Sequence, residues 1–249
     1  MIEPTLIGRL GNFMLEVATA YAYSIKHSME YNINQNEDVN NYITRFFPHL
    51  ETKKILPSNH SVWKEPSHAY TEIPYFENVK ILEYFQSEKY FKDYRSEILA
   101  LFNLPYERIN GWVSIHVRRG DYLIYHNSFP PVDERYLGTA MRLMARNGYK
   151  KFMVFSDGMD WCKQNLNSVK YPEYQFIYSE GKDEFEDMAK GSMCEHNIIS
   201  NSTFSWWQGW LNQNPNKLVV SPSKNNWFGK RVRLSTEDII PENWVQIAF

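Results

Sequence analysis

The 249-residue sequence predicts an α/β protein whose second half is a parallel, Rossmann-like sheet. Three observations carry that reading. From Trp112 onward, short apolar runs alternate with stretches of helical spacing, which requires right-handed crossovers and a parallel sheet covered on both faces. Clusters of Arg, Asp, Ser and Thr follow the apolar runs, at the carboxyl ends where such sheets receive ligands. The composition, 43% hydrophobic and 22% charged, is that of a globular protein, and no run approaches the ~18 consecutive apolar residues that span a bilayer.

The elements follow in order. Pro4 to Ile7 reads as a short strand, and Gly8-Arg9-Leu10-Gly11-Asn12 as a turn. Phe13 to His27 reads as a helix, because Val17, Ala18, Tyr21, Ala22 and Ile25 share one face. Positions 32 to 41, crowded with Asn and acids, read as a loop or insertion. Residues 79 to 85 look like a strand and 88 to 102 like a helix stopping before Pro105. In the second half, strands are expected at Trp112 to Val117, Lys151 to Phe155, Tyr174 to Tyr178, His196 to Ser200 and Leu218 to Val220. Helices are expected at 133 to 147, 159 to 166, 183 to 193 and 203 to 212. The domains are expected at 1–108 and 109–235, with 236–249 returning to the first.

Composition excludes some chemistries. A net charge of −2 does not suit neutralisation of a nucleic-acid backbone, so no nucleic-acid partner is expected. Cys162 and Cys194 form no metal or disulfide pattern and read as buried thiols, which suits a reducing, cytoplasmic setting. No basic leader segment opens the sequence. There is no Gly-x-Ser-x-Gly elbow, no His-Glu-x-x-His and no Cys-x-x-Cys. The acidic run Asp183 to Asp187 reads as a solvated helix face, so no metal is implied.

Four motifs remain. In Ser114-Ile115-His116-Val117-Arg118-Arg119-Gly120-Asp121-Tyr122, alternation puts Ser114, His116 and Arg118 on one face. Paired guanidiniums at a strand's carboxyl end make a diphosphate clamp, since each offers a planar fork of donors, although either can pair with Asp121 instead. Ser200-Asn201-Ser202-Thr203-Phe204 opens a helix with amides, hydroxyls and dipole aimed at an anion, in excess of what a cap needs. Ser156-Asp157 places a carboxylate at a strand edge, where it can accept from ribose or guanine or serve as a helix cap. Gly11 and Asn12 belong to a shortened nucleotide loop lacking the third glycine of a dinucleotide fingerprint.

Taken together these blocks resemble, in order and spacing, the α-1,2-fucosyltransferases (glycosyltransferase family 11). Tyr84-Phe85-Gln86-Ser87-Glu88-Lys89-Tyr90-Phe91, Pro241 and Trp244 extend the likeness over nearly the whole chain, while Arg9, Phe13, Glu83 and Gly158 depart from its usual pattern. The resemblance implies a GT-B-type fold of two Rossmann-like domains facing a cleft, an acceptor-side first domain, and inverting transfer from GDP-β-L-fucose without a metal or other cofactor. The acceptor would be the 2-hydroxyl of a galactose-terminated glycan, reached peripherally if membrane-anchored. It further implies that Arg118 holds the β-phosphate with Arg119 beside it. His116 would lie near guanine, Asp157 near ribose or base, Ser202 to Phe204 at the pyrophosphate, and Asn12 at the donor–acceptor gap. Asp121 and Glu16 are the candidate bases. Another fucosyl linkage, a protein acceptor, and a non-catalytic GDP- or glycan-binding module are the alternatives.

Overall fold

A computed structural model describes the chain except residues 34–42, 44, 51–53, 105–106 and 182; the loop expected at 32 to 41 therefore lies mostly outside the described residues. The chain divides into two compact units. One comprises Met1–Asn103 with Leu234–Pro241, the other Leu104–Arg233 with Glu242–Phe249.

In the first unit, β1 (Ile2–Pro4), β3 (Val79–Leu82) and β2 (Ser61–Lys64) form a parallel sheet in the order β1-β3-β2. Helix α1 (Leu10–Lys26) is buried along most of its length and packs Ala20 and Tyr23 against Ile2, Val79 and Ile81. The turn before it depends on Gly8, whose φ of 92° favours glycine and where a Cβ would collide with the Asn12 amide. Sequence periodicity overextends two elements here. The strand ends at Leu82 because Glu83 (φ 97°) and Phe85 (φ 50°) turn the backbone left-handed. The helix expected over 88 to 102 is two short 3₁₀ turns followed by α2 (Arg95–Leu101).

The second unit is a six-stranded, all-parallel sheet among the described residues, with order β6-β5-β4-β7-β8-β9. Its strands are β4 (Ile109–Val117), β5 (Lys151–Ser156), β6 (Gln175–Tyr178), β7 (Cys194–Ile198), β8 (Val219–Pro222) and β9 (Val245–Ile247). Numbered within the unit this is 3-2-1-4-5-6, the Rossmann order, whose direction reverses between β4 and β7. The helices are α3 (Glu134–Arg146), α4 (Met159–Asn165), α5 (Glu184–Met193) and α6 (Thr203–Leu211). In α3, Tyr136, Leu137, Ala140, Met141 and Met144 recur at helical spacing and pack on Val113, Ile115, Val154 and Ile198. The Tyr136 hydroxyl donates to Ile199 O (2.6 Å), which fixes the end of β7 just before Ser200.

One expectation is corrected. Only Leu234–Pro241 joins the first unit; β9 then adds to the edge of the second sheet, parallel to β8. Three residues are too short for a period-two signal to register. The acidic run is also not simply solvated: Asp183 caps α5 and Asp187 accepts from the Ser179 hydroxyl.

Candidate active site

The carboxyl ends of β4 and β7 meet at the point where strand order reverses, and the two richest motifs lie there. Parallel pairing aligns Ile115 with Ile198, so Ser200 emerges beside His116. The two touch: His116 Nδ1 lies 3.2 Å from Ser200 Oγ, and the imidazole packs 5.0 Å from the Phe204 ring. Burial first, and the Arg118 charge second, push His116 down to about 3, so its ring is neutral around pH 7.

Beyond β4, Arg118 is largely enclosed and its fork is spread between two carboxylates. Nη2 donates to Asp121 Oδ1 and Nη1 to Asp157 Oδ2, both at 2.6 Å. Its guanidinium also lies 5.5 Å from the centre of the Tyr122 ring. The pairing with Asp121 that was open to either arginine thus falls to Arg118. Arg119 instead lays its guanidinium 4.1 Å over Trp161, while its backbone N donates to Asp157 Oδ1 (2.7 Å). Asp157 therefore binds both arginines, and a Cβ on Gly120 would strike its carboxylate. Two arginines and two aspartates make a locally neutral group in which the forks are held in fixed directions.

On the other side of the switch point, Ser202 is the N-cap of α6 and makes no side-chain cap hydrogen bond. Its hydroxyl and Thr203 stand at the positive end of the helix dipole. Ser200 is fully buried, its Oγ 3.1 Å from Ser205 Oγ, and Ser205 donates to Ser202 O. Asn201 braces the loop: its Nδ2 donates to Pro130 O (3.0 Å) and Trp227 O (2.9 Å). Tyr122 OH donates to Asn201 O (2.9 Å), tying the arginine motif to the serine motif. Ser156 is likewise a brace, donating to Val117 O (2.7 Å) and accepting from Gly158 N (2.9 Å). The structure thus brings His116, Arg118, Arg119, Asp121, Asp157 and Ser200 to Phe204 together at one sheet edge. Trp206 and Trp210 stack 6.2 Å apart in the core, as their shared helix face predicts.

Gly11 and Asn12 occupy the first turn of α1, in the first unit. There the candidate base Glu16 is completely buried. Its Oε2 accepts from Ile7 N (3.0 Å), Oε1 has no hydrogen-bond partner, and burial raises its carboxyl well above the usual range. Sequence reasoning missed Glu65. Buried, it accepts from Tyr90 OH (2.8 Å) and Phe85 N (3.2 Å), bracing the left-handed loop, and burial pushes it up to about 7. No periodic pattern marks Lys64-Glu65-Pro66; the only signal was its partner Tyr90 in a recognised block. The thiols are both buried, and Cys194 is pushed up to about 12.

Comparison with known proteins places the chain in a family and a fold. The profile of Glycosyl transferase family 11 matches residues 102–248. An Escherichia coli alpha-1,2-colitosyltransferase is 31% identical over 185 residues, covering 68% of this chain and 63% of its own length. A Sus scrofa galactoside alpha-(1,2)-fucosyltransferase 2 is 30% identical over 235 residues, covering 82% of this chain and 68% of its own. The chain thus spans less than two thirds of the first bacterial relatives it matches, 63% and 60%. The crystal structure of NodZ alpha-1,6-fucosyltransferase soaked with GDP-fucose superposes with a TM-score of 0.51 at 12% identity, covering 90% of this chain and 96% of that one. The fold is GT-B-type α/β, and with the profile covering more than half of its residues, the chain belongs to glycosyltransferase family 11.

Proposed function

We propose that the protein is an inverting glycosyltransferase that moves L-fucose from GDP-β-L-fucose to the 2-hydroxyl of a galactose-terminated glycan. The observation that carries the reading is the joining of the Arg118–Arg119 and Ser202–Thr203 elements at the sheet's switch point, where an α/β sheet receives a nucleotide. The galactoside acceptor and α-1,2 linkage are supported by the names of the mammalian relatives, and the linkage also by the bacterial one.

In this mechanism the acceptor oxygen attacks the anomeric carbon as the bond to the diphosphate oxygen breaks. The acceptor proton passes late to a carboxylate, for which Asp121 stands ready once the diphosphate has taken over Arg118, and negative charge accumulates on the leaving GDP. Arg118, with its fork aimed by Asp121 and Asp157, and the α6 N-terminus stabilise that charge. Binding the diphosphate exchanges carboxylate contacts of Arg118 for phosphate contacts, so the aspartates hold the cation in place beforehand. Metal-independence is part of the proposal: the preset arginine forks and the amides at the start of α6 stand where a metal would otherwise hold the diphosphate. A second reading, with a colitosyl donor, is favoured by the bacterial relative.

The test is GDP release from GDP-fucose and from a GDP-colitose donor, with and without galactose-terminated acceptors, followed by NMR of the product linkage. Acceptor-dependent GDP release and an α-1,2 product are expected. GDP binding without turnover on any donor and acceptor would make the chain a binding module, and an α-1,6 product would overturn the linkage.

A further inference from the structure

The segment following the arginine motif is anomalous for a folded surface. Leu123, Ile124 and Tyr125 are consecutive, apolar and exposed by 49%, 74% and 58%. A run of three exposed apolar residues is ordinarily avoided unless it contacts something.

The run is held by a built support. Ser128 N and Phe129 N both donate to Tyr125 O, at 2.7 and 2.9 Å, closing the turn. Beneath it Tyr122 stacks on Phe129 (5.3 Å), and Phe129 meets Phe228 edge-on (6.0 Å). The far side of the turn is stitched to a basic segment: Gly229 N donates to Ser128 O (2.9 Å) and Arg231 N to Asn127 O (3.3 Å). A Cβ at Gly229 would clash with Asn127 O, so this approach is close. Lys230 and Arg231 are exposed there. The nearby acid, Asp121, is engaged by Arg118. An apolar tip is therefore fixed beside exposed cations.

We infer that the Leu123–Tyr125 tip and the Lys230–Arg231 segment form a docking surface for a bilayer bearing anionic phospholipid. The charge sign selects the occupant. Leu123 and Ile124 enter the acyl boundary, Tyr125 sits at the water interface, and the cations meet lipid phosphates. Neither signal alone gives stable attachment; together they make the two-signal arrangement that peripheral proteins use.

The full chain is to be sedimented with vesicles of phosphatidylcholine alone and of phosphatidylcholine with phosphatidylglycerol, at low and high salt, without donor or acceptor. Preferential binding to the anionic vesicles that weakens with salt is expected. Lys230→Gln with Arg231→Gln should weaken it about 30-fold, two cations each adding ~1 kcal/mol near the surface. Leu123→Ser with Ile124→Ser should weaken binding to vesicles of both compositions. GDP affinity of both double variants, measured by calorimetry, reports that the second unit is intact. No sedimentation with anionic vesicles, or sedimentation untouched by either double variant, would overturn the inference. So would variants that raise KM for a soluble glycan acceptor with vesicle binding unchanged, since the tip would then belong to the acceptor site. The vesicle assay involves no turnover, so its failure leaves the proposed transfer reaction standing.

Discussion

Glu65 offers a pH-dependent stability that can be worked from its surroundings. Its carboxyl is buried and held at about 7 in the folded protein, against an ordinary value of 4.5. The cause is burial, opposed by the bonds from Tyr90 and Phe85. The folded state binds the proton more tightly than the unfolded chain, so stability falls as pH rises. The contribution is fully present below about 4.5, is lost as pH climbs through about 7, and then levels off. Across that window the loss is about 3 kcal/mol. Glu65→Gln keeps the shape of the side chain and removes the proton, so its stability should lack this dependence. Urea unfolding of both proteins at about pH 4.5 and about pH 8 gives the comparison. The wild type should lose about 3 kcal/mol relative to the variant between the two. Parallel pH curves for the two proteins would refute the reasoning, because they would mean that Glu65 ionises in place without penalty.

Arg118→Ala should lower turnover about 100- to 1,000-fold with the fold intact, and Arg118→Lys should recover little, because a point charge cannot span Asp121 and Asp157 or a diphosphate; near-normal turnover in the lysine variant would sink the bidentate assignment. Glu16→Gln should keep turnover within a few-fold, since burial already favours the neutral acid, whereas Glu16→Ala strands Ile7 N and should cost about 1–3 kcal/mol in a denaturant titration. A large drop in kcat for Glu16→Gln would instead make Glu16 the base. Exhaustive EDTA treatment should leave full activity, and restoration by Mn²⁺ or Mg²⁺ after a loss would contradict leaving-group stabilisation by Arg118 and α6.

Much of the second unit was legible because its core strands are buried on both faces and its helices carry one apolar stripe. Val113, Ile115 and Val117 announce β4, and the polar residues that follow mark the sheet's carboxyl edge. The site's membership could be read in this way, but its internal wiring could not. Asp157 is expected at a ribose or base from its strand-end position and the resemblance, and neither shows that its oxygens also hold Arg118 and the Arg119 amide. Asn201 and Ser156 read as ligand contacts and also act as braces, a role the sequence does not show because hydrogen-bond partners from distant elements leave no trace in local spacing. Glu16 is named as a candidate base by type and nearness to the motifs, but its complete burial could not be read, because α1 is buried nearly all round and its apolar face has no solvent side to contrast with.

The late excursion of the chain has a consequence for how the protein can be made. Asp238 accepts from Lys89 Nζ (2.6 Å) and Tyr70 N (2.8 Å) in the first unit, and β9 then closes the edge of the second sheet. A stop codon after Arg233 would injure both units at once, removing the Lys89–Asp238 ion pair from one and uncovering the edge of β8 in the other. During synthesis, the first unit is complete only once Pro241 has emerged from the ribosome, and the second only after Glu242–Phe249 has followed. Until then β8 presents an unpaired edge to any strand that passes.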